Sequence, residues 1–80
     1  MISGDVLKPI MAAQLRRLRL RAGKSQVQIA VEVGVSRATI NRIEQGRHVP
    51  DAALLYSLAD ALGVDTEAFR QVTEKVSIPA

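Results

Sequence analysis

Between Ser36 and Gln45, one side of a helix-length segment collects Ala38, Asn41, Arg42 and Gln45, with Arg37 at its leading end. At about 100° per residue these positions fall opposite Ile40 and Ile43, and no apolar side chain larger than alanine interrupts them. Guanidinium and amide groups carry hydrogen-bond donors and acceptors in fixed geometry, which suits recognition rather than bond-making. Catalysis needs a nucleophile beside a base, paired carboxylates or a metal cluster. The chain has a single histidine, His48, and no cysteine, which removes thiol nucleophiles, thiolate zinc sites and disulfides. Asp60, Asp65 and Glu67 stand close in sequence, but Asp65 is more simply a helix cap. The expectation is a binding protein and not an enzyme, with no metal and no cofactor.

Two short helices must position that side. Ser25 and Gln28 have the spacing of a capping box, which predicts a helix from about Gln26. Its apolar residues Ile29, Ala30 and Val33 share one side, and Gly34 follows where a left-handed C-cap belongs. Ser36 caps the next helix, with Val35 and Ile40 spaced to close a hydrophobic staple. Two capped helices joined by a glycine turn make a helix-turn-helix. Val27 and Val31, one turn apart, lie off the core stripe of its first helix and are ordinary exposed valines or a small contact patch.

Upstream, a first helix is predicted from near Pro9, tolerated in a first turn, to Gly23, with Met11, Leu15, Leu18 and Ala22 as its buried stripe and Leu20 off it. Downstream, Gly46 ends the third helix and the loop R-H-V-P leads to Asp51, the cap of a fourth helix whose core face is Leu55, Leu58, Ala59 and Leu62. Gly63 closes that helix. Asp65 caps a predicted fifth, in which Val64 and Phe69 can staple. Residues 1–8 lack periodicity and are expected as a flexible arm, residues 9–76 as the domain, and residues 77–80 as a frayed tail. The expected architecture is all-α, a compact orthogonal bundle of five helices.

Eighty residues suit one domain, and a chain this short buries only roughly 60% of its unfolded surface, so a dimer interface would add useful stability. Tyr56 and Phe69 are the only aromatics, and the core is left to Leu, Ile, Val and Ala. No apolar run approaches membrane-spanning length and no signal-peptide core is present, so the expected location is the cytoplasm. The net charge of +3 is unevenly spread. Residues 14–48 hold eight arginines and lysines against Glu32 and Glu44, a balance of +6, whereas residues 49–80 hold two against five acids, a balance of −3. The basic half contains the motif, an asymmetry suited to meeting phosphate with one face.

The run Q-x-x-[I/L]-A-x-x-x-G-V-S-x-x-x-I-x-x-[I/W]-E-x-G-x-x-x-P, here Gln26, Ile29, Ala30, Gly34, Val35, Ser36, Ile40, Ile43, Glu44, Gly46 and Pro50, resembles the xenobiotic-response-element-like family of bacterial and phage regulators, which includes lambda-type repressors and Cro. The likeness extends upstream through L-R-R-L-R to Leu15 and downstream through L-x-x-L-A-D-A-L-G-V to Val64. Lys24 departs from it, since the family usually places an apolar residue there; its aliphatic stem can still cover Ile29.

The resemblance implies a lambda-repressor-like DNA-binding domain with the third helix in the major groove and the second crossing the backbone. Arg37 is then the first choice for base readout, its fork matching guanine O6 and N7. Ala38 can touch a thymine methyl, while Asn41 and Arg42 reach either bases or flanking phosphates. Gln26 matches the family's phosphate-binding glutamine, with Ser25 assisting or simply capping; Thr39, Arg47 and the backbone around His48 are further phosphate candidates. For Arg16, Arg17 and Arg21, solubility and phosphate attraction weigh equally. The resemblance also implies a structural pair between Arg19 and Glu44.

The expected function is a sequence-specific transcription regulator, a homodimeric repressor on inverted-repeat double-stranded DNA. Helices four and five are the expected dimer surface, with Leu54, Tyr56 or the segment from Phe69 to Ile78 as candidates. The alternatives are an antitoxin-type module that neutralises a protein partner and autoregulates its operon, or a restriction–modification controller.

Overall fold

Short side chains start three of the helices. The hydroxyls of Ser25 and Ser36 accept the N–H of Gln28 and Thr39, and a carboxylate oxygen of Asp51 accepts that of Leu54, each three residues on. In the computed structural model, which describes residues 4–70, the resulting elements are α1 (Gly4–Arg21), α2 (Gln26–Val33), α3 (Arg37–Glu44) and α4 (Ala52–Leu62), followed by one 3-10 turn (Thr66–Phe69). At Ser25 the capping box is complete, because Gln28 Oε1 accepts the Ser25 N–H in return at 2.7 Å. Gly34 turns the chain between α2 and α3 at φ +78°, and Val35 N–H reaches back to the Ala30 carbonyl at 3.0 Å.

One core holds these elements together. Met11, Leu15 and Leu18 of α1 meet Ile29 and Ala30 of α2, Ile40 and Ile43 of α3, Leu58 and Ala59 of α4, and Phe69. Leu15, Ile29, Ile40 and Leu58 are fully buried, each worth about 1.5–3 kcal/mol against exposure. α3 packs on both α1 and α2, and α4 packs on α2, so the third helix is seated with its opposite side open.

Several expectations are corrected. Among the described residues there are four α-helices, not five, and no strand. The segment after Asp65 makes a 3-10 turn, with Ala68 N–H on the Asp65 carbonyl and Arg70 N–H on that of Glu67. It is anchored by one large side chain, Phe69 at 1% exposed. A helix that short draws its stability from packing, and a single anchor holds a turn. With its ring in the core, Phe69 is also withdrawn from the dimer candidates.

α1 begins at Gly4, so residues 4–8, expected as an arm, are helical, and Pro9 lies inside the helix. It ends at Arg21, and Ala22 is exposed rather than part of the buried stripe. Inward places on α1 also go to Gln14 and Arg19, two polar residues at 3% and 9% exposed. The 77–80 tail, the boundary at residue 76 and the dimer candidates beyond Arg70 lie outside the described residues.

Candidate nucleic-acid interface

α3 is an eight-residue helix, about 12 Å long, and its open side carries Arg37, Ala38 and Arg42 as exposed residues with Asn41 half-buried between them. Arg37 occupies the first helical position, and among the described residues its guanidinium has no hydrogen-bond or ion-pair partner. Arg42 is partly engaged: its Nε donates to the Ala38 carbonyl one turn earlier at 3.3 Å, laying the side chain along the helix and leaving its two terminal nitrogens. Thr39 belongs to the cap, its hydroxyl 3.1 Å from that of Ser36. Past the other end of α3, Arg47 and His48 are exposed and, among the described residues, unpaired.

Behind this side lies a polar network that joins three helices. Arg19 on α1 donates through Nε to Glu44 Oε2 at 2.6 Å and through Nη2 to Glu44 Oε1 at 3.1 Å, while its Nη1 holds the Lys24 carbonyl at 2.9 Å. The two side chains are 11% and 5% exposed. The Glu44 hydrogen bond raises the Arg19 guanidinium above its ordinary pKa, against an opposing loss of solvation and with added Coulombic attraction. Gln26 joins from α2: its Nε2 donates to Glu44 Oε1 at 3.2 Å and to Asn41 Oδ1 at 3.3 Å. Both of these bonds direct its amide nitrogen at α3. Ser25 acts through its cap, and the N–H groups of Gln26 and Val27 stay open at the tip of α2, as at any helix start.

Two contributions are absent from the expected set. Lys24 donates to Glu32 Oε1 and to the Ala61 carbonyl, both at 2.8 Å, tying the start of α2 to the last turn of α4. Gln14, buried on α1, accepts the Arg17 Nε at 2.9 Å and so fixes one of the surface arginines. The sequence signal for Lys24 is its departure from an apolar position; Gln14, one residue before Leu15 beside the apolar stripe, carries none. No group of three or more potential metal ligands occurs among the described residues, and no described helix is long and apolar enough to cross a membrane.

The helix-turn-helix domain family matches residues 10–72. The chain is 33% identical over 58 residues to an uncharacterised HTH-type transcriptional regulator of Sinorhizobium fredii, covering 72% of this chain and 75% of that one. It superposes with TM-score 0.78 and 34% identity on an HTH_3 family transcriptional regulator from Vibrio cholerae, over 84% of this chain but only 38% of that longer protein. The restriction-modification controller protein C.AhdI from Aeromonas hydrophila superposes with TM-score 0.73 and 26% identity, over 76% of this chain and 92% of its own.

Proposed function

Given that the chain belongs to the helix-turn-helix family of DNA-binding transcription regulators of the lambda repressor and Cro type, we propose that it is a cytoplasmic, homodimeric repressor that reads an inverted repeat through α3. The observation that carries this reading is the open side of α3. It presents Arg37, Ala38, Asn41 and Arg42 on a helix seated by Ile40 and Ile43 and braced from behind by Arg19 and Gln26. Recognition helices insert their N-terminal residues toward base edges, and Arg37 is the first residue of α3 with its fork free. Phosphates flank it: the open N–H groups at the tip of α2 suit one strand, and Arg47 with His48 suits the other end. Gln26 then contributes its backbone rather than its side chain.

Two protomers related by a two-fold axis would meet half-sites about 10 bp apart, or a multiple of that. The similarity to a restriction-modification controller of comparable length favours one second reading, control of such an operon by an autoregulating dimer. Selection from random duplexes at roughly 0.15 M salt tests the main reading, since lower salt inflates non-specific binding. A two-fold symmetric motif supports it. A chain that retains no sequence preference at that salt is not a sequence-specific regulator on its own.

A further inference from the structure

We propose that Gln26 is a positioning residue that locks the side-chain amide of Asn41 in one orientation, so that Asn41 leads with its hydrogen-bond donor toward the base pair it meets. This rests on α3 being the helix that reads DNA. The donor and acceptor identities follow outward from the buried ion pair. A guanidinium can only donate, and Arg19 gives Nε and Nη2 to the two Glu44 oxygens. An ionised carboxylate can only accept, so the Gln26 group 3.2 Å from Glu44 Oε1 has to be the amide nitrogen. That nitrogen spends its second proton 3.3 Å away on Asn41, whose facing atom therefore has to be the oxygen, Oδ1.

With Oδ1 turned inward, Nδ2 occupies the outer branch of the amide. Among the described residues Nδ2 has no hydrogen-bond partner, and no unpartnered side-chain nitrogen or oxygen is buried, so it reaches solvent. An unconstrained asparagine pairs with adenine through both atoms, accepting from N6 and donating to N7. Here Gln26 engages one of the two lone pairs of Oδ1 and holds that oxygen toward α2, so the outer edge of the amide leads with Nδ2. The outward donor fits a major-groove acceptor, guanine N7 or O6, adenine N7 or thymine O4, and disfavours cytosine, which presents its N4 donor. A buried charge pair thus sets the polarity of a recognition residue two hydrogen bonds away.

Motif selection with the wild type and three variants tests this, with thermal melting to establish that each is folded. The wild type is expected to disfavour cytosine on the contacted strand at one position per half-site. Asn41→Asp keeps the Gln26 bond, since a carboxylate accepts it, but turns an acceptor outward; cytosine becomes preferred at that position by about five- to tenfold. Gln26→Met, of similar length but without a donor, frees Oδ1 and moves the position toward adenine. Gln26→Lys restores a donor to both Glu44 and Asn41 and is expected to recover the wild-type preference.

If Asn41→Asp lowers affinity uniformly and changes no base preference, Asn41 contacts phosphate and the inference fails. If folded Gln26→Met selects the wild-type motif, the positioning role fails; if it does not fold, an unaltered preference in Asn41→Asp or a changed one in Gln26→Lys still overturns the scheme. A wild type that selects no motif at all overturns the reading of α3 itself, a different result from either.

Discussion

Arg37 and Arg47 stand at opposite ends of α3 and have the same charge, yet the proposed function gives them different work. Arg37 lies on the first turn with a free fork and Arg47 beyond the helix end, and in the proposed function the first reads base edges while the second holds the backbone. Arg37→Ala is expected to cost about 1–3 kcal/mol and relax preference at one base-pair position, whereas Arg47→Ala weakens all sequences alike and lowers the salt slope by about 1. Titration of matched and mismatched duplexes across a salt series separates the two, and parallel behaviour would refute the division. Arg19 is a different kind of arginine. Its pair with Glu44 is nearly excluded from water, so Arg19→Met alone is expected to destabilise by about 3–5 kcal/mol, with much of the loss recovered in the Arg19→Met/Glu44→Leu double variant. Denaturant unfolding of the wild type and these two variants checks both values. Because the folded arginine's pKa is raised, its contribution is complete below the unfolded arginine pKa and is lost only as pH rises through the folded value, so the arginine side of the pair stays charged throughout the neutral range.

α3 shows how little holds a recognition helix and why its ends matter. It buries two isoleucines, and its first turn is fixed by the Ser36 cap, reinforced by the Thr39 hydroxyl. Ser36→Ala is expected to cost about 1 kcal/mol, read as a lower midpoint in thermal melting, with faster amide exchange at Thr39 than in the α1 core. Gly34→Ala meets no neighbour within 4 Å, so its cost is conformational, about 1–2 kcal/mol for a left-handed non-glycine residue. The starts of α2, α3 and α4 were legible because a cap and its target lie three residues apart. The 3-10 turn was not: the Asp65 cap is present, with its carboxylate on the Glu67 N–H at 3.1 Å, but a cap announces where a helix can begin and not how far packing will carry it.

Across the chain, the basic residues of α1 and α3 and the acids Asp51, Asp60, Asp65 and Glu67 of the later elements divide the protein into two electrostatic halves. Under the proposed function, the half that carries α3 meets DNA and α4 is left for a partner copy. Tyr56 on α4, 67% exposed, is the exposed aromatic among the described residues, whereas Leu54 packs against the core. Tyr56→Asp is expected to leave the melting midpoint of dilute protein nearly unchanged, as surface substitutions change stability by about 0.5 kcal/mol or less, while weakening self-association in sedimentation equilibrium. Unaltered association would move the dimer surface elsewhere. The sequence by itself determined the all-α class, the helix-turn-helix and its boundaries, and the side of α3 free of large apolar groups, because caps, turns and helical periodicity act between residues a few positions apart. Only the tertiary structure decided that Gln26 faces inward and that Asn41 turns its oxygen to Gln26, in the same network that closes the Arg19–Glu44 pair implied by the family resemblance. Those outcomes join residues 25, 18 and 15 positions apart, and a hydrogen bond at that separation exists only after the core has brought three helices together.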